Sequence, residues 1–158
     1  MNFRVGALVV AISTSGCATQ QYQAYKGAPL SNAEQAVVQT ESQRDHVVRS
    51  RLDQRLGIVD IDGVKTASFA ACVMLGTENC YPDRAIVLPG RHHFTLRYDH
   101  GNSFSFGNIW FDAEAGKTYL IRRKILGYNI RMWVEENDLH TVVGGLADGE
   151  PPVSRNSK

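Results

Sequence analysis

From Leu56 onward, apolar and polar residues alternate in short runs, and turn residues interrupt them about every ten positions. Runs of this length, bounded by Gly, Pro, Asn and Asp, predict half-buried strands. The first, Leu56 to Ile61, leads into Asp62-Gly63, a hairpin signal. Residues 64–84 read as a connection. Ala85-Ile86-Val87-Leu88 is a strand closed by the Pro89-Gly90 turn. The next strand alternates cleanly. His92, Phe94, Leu96 and Tyr98 share one face, and His93, Thr95 and Arg97 share the other. After a turn near His100-Gly101-Asn102, Phe104 and Phe106 begin a strand that Ile109 and Phe111 continue in opposite parity. That switch predicts a bulge or a new strand at Gly107-Asn108. Ala113 to Lys117 is a turn. Lys117–Leu126 and Tyr128–Glu135 form a hairpin pivoting at Gly127, with Tyr128, Ile130, Met132 and Val134 on the buried face. Leu139 to Val143 is a last short strand.

Before Leu56 the pattern is less decided. Glu34 to Thr40 supports a capped helix through Ser31 or Asn32, or a strand through the β-branched Val37, Val38 and Thr40. The strand is preferred. Val48, Leu52 and Leu56 recur at spacing four, which predicts a short amphipathic helix near residues 42–54. Arg44, Arg49, Arg51 and Arg55 fit its solvated face better than an anion site. The expected fold class is mainly β, an antiparallel β-sandwich of about 6–8 strands. The domain spans residues 31–146. A Gln-, Gly- and Pro-containing tether precedes it at 17–30, and a disordered tail follows at 147–158.

Residues 1–16 have the three parts of a secretory signal: Arg4, an apolar Val5–Ile12 run, and small residues. The apolar run is too short to span a bilayer, which takes about 20 residues. Ser15-Gly16-Cys17 resembles the lipobox of bacterial lipoproteins, with Thr14 standing where that motif usually has an aliphatic residue. The resemblance implies cleavage after Gly16 and acylation of Cys17. Two or more acyl chains anchor stably where one does not. Ala18, rather than aspartate, implies an outer-membrane lipoprotein with its domain in the periplasm.

Charge and cysteine content narrow the picture. The chain has 17 basic and 16 acidic side chains, and Arg4 leaves with the signal, so the rest is balanced. Balance argues against nucleic acid as a partner. With Cys17 lipidated, Cys72 and Cys80 remain. In an oxidising periplasm they are expected to pair, stabilising the chain by roughly 2–3 kcal/mol. Two thiols with no neighbouring histidine make a poor zinc site. No metal or cofactor is expected.

The sequence offers little catalytic chemistry. It has no nucleophile elbow, no His-Glu-x-x-His and no phosphate loop. His92 and His93 point to opposite faces of a strand and cannot grip one metal. His92 reads as a packed or hydrogen-bonded residue at the core edge. Asp60-x-Asp62-Gly63 begins like a calcium loop but lacks the later ligands, so it reads as a turn. Glu135 and Glu136 are adjacent on a strand and are expected at its exposed end. Trp110 and Trp133 each fall out of phase with neighbouring core residues, which makes them the candidate partner surface unless both sheet faces are covered.

Four landmarks recur in order: Ile58-x-x-Ile61-Asp62-Gly63; Leu88-Pro89-Gly90-x-His92 with Tyr98; Phe111-x-Ala113-Glu114-Ala115-Gly116-Lys117-x-Tyr119; and Trp133-Val134-Glu135-Glu136. Across residues 30–145 the chain resembles small bacterial lipoproteins with PEGA-like or transthyretin-like sandwich domains. The resemblance implies a fold and brings no catalytic residues. The expected role is that of a membrane-anchored envelope lipoprotein, non-enzymatic, with a structural, accessory or protein-interaction function and an envelope protein as partner. The alternative is a periplasmic ligand-binding protein or hydrolase inhibitor, acting through the loop near Cys72 and Cys80.

Overall fold

The regular alternation after Pro89-Gly90 becomes one long strand, and the rest of the architecture is built around it. A computed structural model describes residues 21–41, 54–76, 80–101 and 103–146. The signal segment, Cys17, residues 42–53 of the 42–54 stretch expected to be helical and the 147–158 tail lie outside the described residues, and Gln54, the last of that stretch, is in a strand. In chain order the elements are β1 (Gln21–Gln23), β2 (Ala36–Thr40), β3 (Gln54–Ile61), β4 (Val64–Lys65), α1 (Phe69–Leu75), β5 (Arg84–Val87), β6 (Gly90–His100), β7 (Ser103–Ala113), β8 (Thr118–Leu126), β9 (Asn129–Glu136) and β10 (Thr141–Leu146).

The chain is mainly β, with a single short helix among the described residues. The strands follow the hydrogen-bonded order β1-β5-β2-β8-β9-β10-β7-β6-β3-β4. They divide into a six-stranded sheet, β1 to β10 in that order, and a four-stranded sheet, β7 to β4. Strand β10 joins the two: Thr141, Val142 and Gly144 pair with β9, while Gly145 and Leu146 pair with β7. A second seam lies opposite. There the Thr40 hydroxyl donates to the Leu56 carbonyl at 2.6 Å, and Ile58 N–H donates to the Pro82 carbonyl at 2.9 Å.

The expectation of purely antiparallel pairing is corrected. β1 runs parallel to β5, and β2 runs parallel to β8. Turn residues report only hairpins between neighbours in sequence. Parallel partners need long connections, such as the one from Thr40 to Thr118, and leave no local mark. Part of the expected tether also belongs to the sheet, because Gln21–Gln23 pairs with Arg84–Ile86. The hairpins stand where the turn residues put them. Asp62 and Gly63 both adopt left-handed backbone, at φ 52° and 82°, as a two-residue turn requires. Leu126 pairs with Asn129 around Gly127, whose φ is 63°. On β9, Met132 and Val134 are buried and Ile130 half-buried, whereas Tyr128 projects into solvent.

No bulge is found at Gly107-Asn108. Strand β7 stays in register with β6 from Ser103 to Ala113. The parity switch has another cause: Phe104 and Phe106 lie on the outer face, and Ile109 and Phe111 lie on the inner one. The helix observed is α1, in the stretch expected to be a plain connection. Ser68 caps it, its hydroxyl accepting from Ala71 N–H at 3.2 Å. The expected disulfide is present between Cys72 and Cys80, with Cα atoms 4.8 Å apart. Glu136, expected to be exposed, is 9% accessible and accepts from Lys117 Nζ. The lysine offsets the cost of burying the carboxylate.

Both sheets contribute to one hydrophobic core, with Leu56, Ile58, Leu96 and Ile109 on one side and Val38, Val87, Ile121 and Val134 on the other. An aromatic stack crosses it. Phe94 lies 5.4 Å from Phe111, and Phe111 lies 4.8 Å from Tyr119, ring centre to ring centre. The Tyr119 hydroxyl accepts from Glu114 N–H at 2.9 Å, tying the stack to the turn before β8. Where β10 passes between sheets, Gly144 has no room for a side chain. A Cβ there would sit 2.9 Å from both Phe111 Cβ and Val134 Cγ2. Gly144→Ala should therefore cost about 1–3 kcal/mol, measured as a lower urea midpoint. An unchanged midpoint would show that β10 can move away from the core.

Candidate functional site

Three surface features carry unusual chemistry, and each follows from which face of a strand or helix a residue occupies. The first is the outer face of β6 and β7. Register pairs Arg91 with Asp112, His93 with Trp110, and Arg97 with Phe106. Arg91 donates to both Asp112 carboxylate oxygens, at 3.0 and 2.9 Å, and its guanidinium lies 4.3 Å from the Trp110 ring centre. The Arg91 hydrogen bond holds the Asp112 carboxyl below the usual carboxylate range. His93 stacks on Trp110 at 6.4 Å. Further along, Arg97 lies 4.4 Å from the Phe104 ring and 5.9 Å from that of Phe106, both more than half exposed. Arg97 is steadied by Asp99 at 2.9 Å. The face is thus a ladder of guanidinium groups over aromatic rings.

The second feature lies on the outer face of β8 and β9. Trp133 donates its indole N–H to Glu135 at 2.7 Å. Arg122 bridges Glu135 and Glu41, each at 3.1 Å. The Glu135 carboxyl is held below its ordinary value, first by the Trp133 hydrogen bond and then by Arg122. Its folded pKa is depressed, so its contribution to stability is complete above the free carboxyl value of 4.5 and is lost as pH falls through the folded value. Glu135→Gln should lower stability at neutral pH and leave a shallower acid limb below about pH 5. Urea midpoints taken from pH 7 to pH 3 check this; parallel curves for the two proteins would refute it.

The two tryptophans predicted as a partner surface are therefore each half-buried and engaged. They stand on the strands that flank β10: Trp110 is opposite Gly145, and Trp133 precedes Val134, which is opposite Gly144. Cys72 and Cys80 are joined. His92 fills the core edge, with Nδ1 2.6 Å from Asp62 and Nε2 2.7 Å from the Leu88 carbonyl. Both ring nitrogens are thereby occupied. Asp62 also accepts from His93 N–H at 2.8 Å, and Asp60 accepts from Gly63 N–H at 2.7 Å. The two aspartates hold the turn. Among the described residues no group of three or more His, Cys, Asp or Glu is placed to hold a metal. Nor is any described helix long and apolar enough to cross a membrane.

The third feature was missed in the sequence. Helix α1 buries Cys72 but exposes Phe69 at 86%, Val73 at 66%, Met74 at 85% and Leu75 at 52%. Its seven residues carry no charge. A capping serine followed by an uncharged apolar run was the available signal, but the run is too short for a helical period to stand out.

Neither the family models, the curated proteins nor the solved structures compared with this chain contain a match.

Proposed function

We propose that this chain is a lipid-anchored bacterial envelope protein, acylated at Cys17, whose β domain works in the periplasm as a structural, accessory or protein-interaction module. The observation that carries the reading is the division of the cysteines. Cys72 and Cys80 bond to each other, as suits an oxidising compartment. The remaining one, Cys17, follows an apolar run and Ser15-Gly16, the context of a lipobox. Ala18 favours sorting to the outer membrane. Two sheets around one core support reading the domain as a β-sandwich of the PEGA-like or transthyretin-like kind. A non-enzymatic role fits a surface whose histidine–aspartate pair serves a turn and whose acidic groups are held by arginine and lysine. A partner-binding role is supported by the outer face of β6 and β7, where Phe104 and Phe106 stay exposed beside Arg97.

Cys17→Ala should move the protein from the membrane fraction to the soluble fraction of bacterial cells. Mass spectrometry of the parent should find acyl chains on Cys17. Retention of the variant in the membrane fraction would sink the anchor.

A further inference from the structure

We infer that helix α1 is a second membrane contact, laying Phe69, Val73 and Met74 into the lipid leaflet that holds the acylated Cys17. The inference rests on the anchored reading above and deepens it. It begins with where the chain enters the fold. Gln21 pairs with Arg84 at the start of β5. Only four peptide bonds separate Gln21 from Cys17, a reach of at most about 14 Å. The leash is thus far shorter than a tether running to residue 30 would be, and it holds the side of the domain around β1 toward the bilayer.

The chain path and the disulfide link α1 to that side. Strands β1 and β4 are the two ends of the strand order. The seam hydrogen bonds from Thr40 to Leu56 and from Ile58 to Pro82 join β2, and the segment that leads into β5, to β3, the neighbour of β4. Helix α1 follows β4 by three residues, and the Cys72–Cys80 bond ties it to the segment leading directly into Arg84, the partner of Gln21. Tyr81, in that segment, lies against Gly57 on β3, 2.7 Å from where a Cβ would be, so the segment cannot swing away freely.

The chemistry of the face matches lipid. Phe69, Val73 and Met74 fall within one side of the helix and are exposed, with no charged residue among its seven. Exposed clusters of this kind mark a surface that is covered in use, and an interfacial helix buries such residues at the headgroup–acyl boundary. The disulfide fixes the helix, so little ordering is needed on contact. A short leash, an exposed apolar helix and a disulfide stapling that helix to the segment that leads to the leash's partner strand together point to the bilayer as the occupant.

The test uses the full acylated protein in vesicles of phosphatidylethanolamine and phosphatidylglycerol. Phe69→Trp and, separately, Met74→Trp place a reporter at sites 86% and 85% exposed, where folding should tolerate it. The parent supplies the background from Trp110 and Trp133. Brominated acyl chains should quench the added tryptophan at least twofold, with a blue-shifted emission. Water-like, unquenched emission from both variants on vesicle-bound protein would overturn the inference, as would cross-linking from position 74 to a protein in intact envelopes. Mass spectrometry of Cys17 on the same sample separates the two readings. An acylated but unquenched protein loses only the α1 contact, whereas an unacylated one loses the anchor and the contact together.

Discussion

Replacing Phe111 with alanine should cost about 3–5 kcal/mol of unfolding free energy, enough to threaten the fold of a domain this size. Phe111 is fully buried, and its ring meets Phe94 from its own sheet and Tyr119 from the other. Removing the ring empties the place where side chains of the two sheets meet. Phe111→Leu should cost much less because it keeps most of the volume. Phe106→Ala is the control. Phe106 is on the same strand but on the outer face, 54% exposed, and its loss should cost under about 1 kcal/mol. Urea denaturation of the three variants reads all of this. Similar losses for Phe106→Ala and Phe111→Ala would mean that the two faces of β7 have been assigned wrongly.

The second large effect belongs to the disulfide. Reduction, or Cys72→Ala with Cys80→Ala, should lower stability by roughly 2–3 kcal/mol for a loop this short. The loss should be concentrated in α1. A helix of seven residues cannot hold itself in water, and most of its side chains are exposed. Amide exchange should therefore rise at residues 69–75 and at 80–83, while β6 and β7 stay protected. Unchanged denaturation and exchange in reductant would show that the helix is held by something other than the bond.

How far the chain could be read before folding depended on the range of each interaction. Hairpins are local. Asp62-Gly63, Pro89-Gly90 and Gly127 mark their turns because particular backbone angles favour particular residues there. The inner face of β6 was legible because Phe94, Leu96 and Tyr98 repeat at the strand period. The parallel partners of β1 and β2 were not, since nothing in Gln21–Gln23 or Ala36–Thr40 names a strand some sixty to eighty residues away. The same limit explains Phe104 and Phe106. Apolar residues facing outward look like a slip of register until Arg97 is seen lying over their rings. Of the candidate surface, the tryptophans were visible by their parity, but their engagement with Arg91 and Glu135 was not, because those contacts depend on tertiary position. The exposure of α1 was hidden for the converse reason: an apolar run reads as core until the fold shows its side chains exposed.

Strand β10 sets the order in which this chain can finish folding. It supplies one ladder to β9 and another to β7, so both strands keep an open edge until residues 141–146 arrive. Open edges invite pairing with other chains. The last of the described strands along the chain is thus the one that covers these edges, and β7 and β9 must wait for it. A nascent chain stopped before Thr141 would be sticky and incomplete, however much of its core were already in place.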